Sequence, residues 1–134
     1  MKTVIGNKEK AWVVFMPHDE VKETCFQKVF YWFLNRMKKN FSHVAVFRKS
    51  AIDGWVVGVD CCSDNLIIHE MGYKQFFNFI SKPEITCICV DVKPGKIKAT
   101  GLITCVSVAK HYLGVDGWSI ITPYQLFKYL EKNK

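Results

Sequence analysis

The stretch from residue 42 to residue 60, SHVAVFRKSAIDGWVVGVD, predicts the centre of the fold. Residues 42–49 and 55–60 each have the pattern of a β-strand. The Asp-Gly pair between them favours a tight turn, so the two strands are expected to form a β-hairpin. If Ser50 pairs near Trp55, the position numbers of opposite residues add up to about 103 to 105.

This register brings two polar residues of the hairpin together. His43 lies at the start of the first strand, where its side-chain parity is opposite to that of Val44 and Val46. With the register above, His43 faces the region of residues 60–62, and Asp60 lies beside it. A carboxylate in that position can fix the tautomer of an imidazole and stabilise the imidazolium.

Cys105 is the candidate nucleophile. Residues 101–114 predict a short helix in which Thr104 is the N-cap, Cys105 is the first helical residue and Gly114 ends the helix. The partial positive charge at a helix start favours the thiolate, which is the reactive form of cysteine. Taken alone, a cysteine at a helix start is more often structural than catalytic, so the assignment depends on a partner.

The chain has four histidines that could serve as the base for Cys105. His111 lies six residues later on the same helix and therefore on a different face. His18 is expected in a loop and His69 near a strand end. The hairpin register favours His43, which gives Cys105, His43 and Asp60 as nucleophile, base and orienting group.

The remaining elements predict an α+β fold in the order β-α-β-β-β-α-β-α-β-α. Adjacent strands without crossover helices imply antiparallel pairing, in a sheet or small barrel packed against helices. The whole chain, residues 1–134, is expected to be a single domain. Outside the segments above, the pattern predicts strands at residues 11–16, 66–70, 85–92 and 118–121, and helices at residues 19–39, from Gly72 to Pro83, and from the capping box Thr122-Pro-Tyr-Gln125 onward. Residues 85–92 are so apolar that both faces of this strand are expected to be covered.

Composition restricts the function classes. Hydrophobic residues make up 49 % of the chain, no apolar run reaches about 18 residues, and the lysine-rich start lacks a secretion signal. The protein is therefore expected in the cytoplasm, with no membrane span. The net charge of +7 comes from scattered lysines, which indicates an ordinary basic surface rather than a nucleic-acid partner.

The six cysteines fit a reducing compartment better than a disulfide scaffold. A zinc site is conceivable, but neither a C-x-x-C knuckle nor an H-x₃-H pair is present. We favour the interpretation that most of these thiols are small buried groups, and we expect neither a metal nor another cofactor. The zinc alternative would draw on Cys61, Cys62, His69, Cys87 and Cys89.

The layout resembles the circularly permuted branch of the papain-like superfamily, which contains NlpC-type peptidases and lecithin-retinol-acyltransferase-like proteins. In that branch the histidine strand precedes the cysteine helix, and a polar third residue follows on the next strand. The matching segments here are residues 41–47, 54–60 and 102–114. The tail at residues 118–127 is similar to small proteins of this kind encoded by tailed phages. Residues 1–40 have no counterpart in the resemblance.

The resemblance implies a cysteine-dependent hydrolase with a nucleophile at a helix N-terminus and a thioester intermediate. Peptidase or amidase action on a peptide, amide or ester is favoured over acyl transfer. The Cys105 backbone amide can serve as one oxyanion donor, and no side-chain donor is evident. The alternative is a catalytically inactive papain-like binding protein or virion-associated phage protein, which would contact a virion or host protein. If the chain is phage-encoded, its location is the host cytoplasm or the virion.

Overall fold

The computed structural model describes residues 9–17, 41–62, 65–92, 104–117 and 119–133. The helix predicted at residues 19–39 lies outside these residues. The described elements are β1 (Lys10–Met16), β2 (His43–Lys49), β3 (Trp55–Cys62), β4 (Asn65–Gly72), α1 (Tyr73–Ile80), β5 (Thr86–Asp91), α2 (Cys105–Leu113) and α3 (Pro123–Lys132).

The strands form one five-stranded sheet in the order β4-β3-β2-β1-β5. All four neighbouring pairs are antiparallel. The α+β class and the antiparallel sheet are therefore confirmed. Within the described part of the chain the sheet is open, with β4 and β5 at its edges, so the small barrel is not observed.

The β2–β3 hairpin has the register that the sequence predicted. Arg48 lies opposite Val57. The Ser50 amide donates to the Trp55 carbonyl over 2.9 Å. Gly54 closes the turn with a φ of 83°, a left-handed conformation that costs a glycine little.

Alternate residues of β2 enter two separate apolar clusters, as expected for a strand covered on both faces. Val44 packs with Val106 of α2 and with residues of α3. Phe47 packs in the second cluster with Phe76 of α1. The two clusters bury the middle of the sheet between helices. His43 is the first residue of the buried strand β2.

Two sequence-based expectations about strands are wrong. Strand β5 is not covered on both faces, because Cys89 and Asp91, which share one face of the strand, are exposed. Residues 119–121 do not form a strand, and Trp118 lies outside the described residues. The backbone amides there have other acceptors: Ile120 donates to the Gly117 carbonyl over 3.2 Å, and Ile121 donates to the Gln125 side chain over 2.9 Å.

Among the helices that the structure describes, none has both the length and the apolar character needed to cross a bilayer.

Candidate active site

Helix α2 begins at Cys105 because Thr104 provides a complete capping box. The Thr104 hydroxyl accepts from the Ser107 amide over 3.1 Å, and the Thr104 amide donates to the Ser107 hydroxyl over 2.7 Å. At the other end, Gly114 has a φ of 68° and ends the helix in the left-handed conformation. The predicted N-cap and C-cap are thus both present, and Cys105 is the first residue of the helix.

His43 and Asp60 are hydrogen-bonded to each other through their side chains. His43 Nε2 donates to Asp60 Oδ1. The backbone pairing of β2 with β3 extends to Val46 opposite Val59, and the two side chains meet just beyond this point. Only 9 % of the His43 side chain and 13 % of the Asp60 side chain is exposed, so solvent screens this contact weakly. The neighbourhood that the hairpin register predicted for this pair is therefore present.

The Cys105 thiol is the second partner of the His43 ring. The Cys105 side chain lies close enough to the His43 ring to help raise the pKa of His43. Because Nε2 is occupied by Asp60, the ring nitrogen left for the sulfur is Nδ1. Cys105 is half-buried and packs against the apolar cluster that contains Val44 and Val106. The structure thus brings together the three residues that the sequence selected.

The environment keeps the His43 ring positively charged. Burial lowers the pKa of His43, but the hydrogen bond to Asp60 and the interactions with Cys105 and with the Asp60 charge outweigh burial and raise it from 6.5 to about 10. At neutral pH both ring nitrogens therefore carry a proton, and each is able to donate.

Asp60 is held in its charged form. Burial alone would raise the pKa of its carboxyl, but the hydrogen bond and charge of His43, together with those of His69, lower it. An ionised carboxylate accepts hydrogen bonds and does not donate them, so both histidines act as donors toward it.

His69 is the residue of this cluster that sequence reasoning did not assign to the site. It lies on β4 opposite Gly58, and its Nε2 is 3.4 Å from Asp60 Oδ2. The prediction located a third strand at residues 66–70 but did not set its register against β3. A short connection between β3 and β4 was the available signal, because it places His69 on the same side of the sheet as Asp60.

The other candidate bases were His18 and His111, and the other candidate ligands were cysteines, of which the Cys61 and Cys62 side chains lie outside the described part of the structure. His111 lies in the last turn of α2, at the opposite end of the helix from Cys105, and His18 lies outside the described residues. Burial raises the pKa of the Cys87 thiol to about 11, which makes it unreactive at neutral pH, and its neighbour Cys89 is exposed. Among the described residues, no group of three or more histidine, cysteine or acidic side chains could hold a metal ion.

In comparisons with known proteins, the chain matches no family model, no curated protein and no solved structure.

Proposed function

We propose that this protein is a cysteine-dependent hydrolase, a peptidase or amidase that acts through Cys105, His43 and Asp60. One arrangement carries the proposal: the buried imidazole of His43 is hydrogen-bonded to the Asp60 carboxylate, and the Cys105 side chain lies close enough to the same ring to help raise its pKa. Further support comes from the chain order of histidine strand, aspartate strand and cysteine helix, which is the order expected from the resemblance to the circularly permuted papain-like branch.

The first half of the reaction forms a thioester. The Cys105 thiolate attacks the carbonyl carbon of an amide, isopeptide or ester, and the carbonyl electron pair moves onto oxygen. The Cys105 backbone amide lies in the first turn of α2, where helix amides have no intrahelical acceptor, and it donates to this oxyanion. As the intermediate collapses, the bond to the leaving group breaks, and His43 Nδ1 transfers its proton to the leaving amine or alkoxide.

The second half releases the acid. Neutral His43 takes a proton from a water molecule as the water oxygen attacks the thioester carbonyl. The carbon–sulfur bond then breaks and restores both the thiolate and the imidazolium. Throughout the cycle Asp60 accepts from His43 Nε2, which keeps the ring oriented with Nδ1 toward the sulfur. If an amine or alcohol replaces water, the same steps give acyl transfer.

The proposal is tested with p-nitrophenyl acetate, a small activated ester, and mass spectrometry of the intact protein and its peptides. We expect acetylation at Cys105 to be faster than at Cys89, although Cys89 is the more exposed thiol. The acetyl group on Cys105 should then be lost to water, and Cys105→Ser should remove the signal. Cys89→Ser is the matched control and should leave turnover unchanged. Acetylation that follows exposure, with Cys89 reacting first, would instead favour the inactive papain-like binding or virion-associated protein.

A further inference from the structure

Asp60 contacts a histidine through each of its two carboxylate oxygens. Oδ1 accepts from His43, and Oδ2 lies 3.4 Å from His69 Nε2. Within the described part of the chain, these are the hydrogen bonds that the Asp60 side chain makes. An aspartate with one hydrogen bond can still rotate its carboxylate about the terminal torsion, which is soft for such groups. A second donor on the other oxygen removes that freedom.

His69 is itself held by an aromatic ring. The Phe47 ring lies with its centroid 6.4 Å from that of His69, and the two planes are inclined by 30°. Phe47 occupies this position because residue 58 is a glycine: a Cβ there would lie 2.2 Å from the Phe47 ring. Gly58 is also the residue of β3 directly opposite His69. The backbone pairing and the packing of Phe47 therefore both fix the place of the second imidazole.

The burial of the three side chains differs in a way that fits separate roles. Exposure of the side chains is 9 % for His43, 13 % for Asp60 and 39 % for His69. His69 is hydrogen-bonded to Asp60. His43 interacts with both Asp60 and Cys105. A direct role of His69 at the sulfur is not needed to explain its position.

We infer that His69 is a positioning residue of this site, which holds the Asp60 carboxylate through Oδ2 so that Oδ1 remains aligned with His43. This inference rests on the proposed function for its effect on reactivity, but the geometry it describes can be tested without a substrate. His69 contacts no reacting atom, and it acts on Cys105 through Asp60 and His43.

The test compares His69→Leu with His69→Gln. Leucine removes the donor, whereas the amide nitrogen of glutamine can replace Nε2 at nearly the same distance from the backbone. The first readout is the rate of iodoacetamide alkylation at Cys105 relative to Cys89 in the same sample. The second is the downfield proton resonance of the His43–Asp60 hydrogen bond, assigned by its absence in His43→Ala. His111→Gln, which changes a histidine at the far end of α2, is the control.

We expect His69→Leu to lower the Cys105/Cys89 rate ratio by about threefold to tenfold, because small misplacements of catalytic groups have large rate effects. The downfield resonance should broaden or disappear, and His69→Gln should restore both readouts. An unchanged resonance in His69→Leu would overturn the inference. If wild-type Cys105 is no faster than Cys89, the proposed function fails, and the resonance still decides whether His69 positions Asp60. If Cys105 is fast and insensitive to His69→Leu, the proposed function stands and the inference is wrong.

Discussion

Helices α2 and α3 begin with the same local structure and have different surroundings. Each has a threonine N-cap and a complete capping box, formed by Thr104 with Ser107 and by Thr122 with Gln125. The next residue is Cys105 in α2 and Pro123 in α3. Both helices therefore have the partial positive charge of an N-terminus at that position.

The difference lies in what each first residue meets. Pro123 is fully buried, and proline has no backbone amide to donate. Cys105 is half-buried and lies near the ring of His43, which is hydrogen-bonded to Asp60. The capping box starts a helix in either setting, and the sheet supplies the chemical partners at only one of the two. A helix start by itself is thus weak evidence for a site. The evidence at Cys105 is the nearby pair of His43 on β2 and Asp60 on β3.

The largest effect is expected from Cys105→Ser. A serine hydroxyl is far less acidic than a thiol and remains protonated beside the imidazolium, so turnover of p-nitrophenyl acetate by the site should be lost. The substitution exchanges one small side chain for another at a half-buried position, and the melting temperature should be almost unchanged. Ester turnover and thermal melting of both proteins check this prediction. A fully active Cys105→Ser variant would remove Cys105 from the site.

Asp60→Asn should impair turnover about tenfold or more without abolishing it, because an amide can still contact His43 but no longer balances its charge. The same variant should change the pH dependence of stability. The pKa of His43 is raised from 6.5 to about 10, so its interactions stabilise the folded chain fully below the lower value and are lost as the pH rises through the upper one. The pKa of Asp60 is lowered, so its contribution is present above the ordinary carboxyl value of about 3.9 and lost in acid.

Thermal unfolding of wild type and Asp60→Asn, measured between the two His43 pKa values of 6.5 and about 10, checks the sign of this pH dependence. Wild type should lose more stability than the variant between these two His43 values, by on the order of a few kcal/mol. Parallel curves would contradict the charged pair, and equal turnover would remove Asp60 from the proposed mechanism.

The smallest effects are expected from substitutions at the two N-caps. These substitutions test the comparison of α2 with α3 most closely. Thr104→Ala and Thr122→Ala should each lower the free energy of unfolding by about 1 kcal/mol, because each removes one acceptor for a first-turn amide. Only Thr104→Ala should also slow alkylation of Cys105, since it loosens the helix start that holds the sulfur. Urea unfolding and peptide mass spectrometry measure the two quantities. If both variants change Cys105 to the same extent, its reactivity reflects general stability and not the local helix start.

The hairpin and the His43–Asp60 contact were predictable because an Asp-Gly turn sets the register, and the register sets which side chains are neighbours. The helix start at Cys105 was predictable because Thr104 and Gly114 are local signals. Long-range pairing had no such signal. Nothing near β1 in sequence indicates that it lies between β2 and β5, which left the edge position of β5 unrecognised.

The missed features follow from the same limit. His69 reaches Asp60 through the β3–β4 register, which the sequence prediction left unset. The strand expected at residues 118–121 failed because side chains compete for its backbone groups. Lys110 Nζ donates to the carbonyls of Gly117 and Ile120 over 2.5 and 3.0 Å, and Gln125 accepts from Ile121.

The most direct test of the central claim is the rate of iodoacetamide alkylation at Cys105 relative to Cys89, measured by peptide mass spectrometry in wild type and in His43→Gln. Glutamine can still donate to Asp60 but cannot carry the positive charge of an imidazolium. We predict that Cys105 reacts faster than the more exposed Cys89 in wild type and that this advantage is lost in His43→Gln. A Cys105 that reacts more slowly than Cys89 in both proteins would contradict the account.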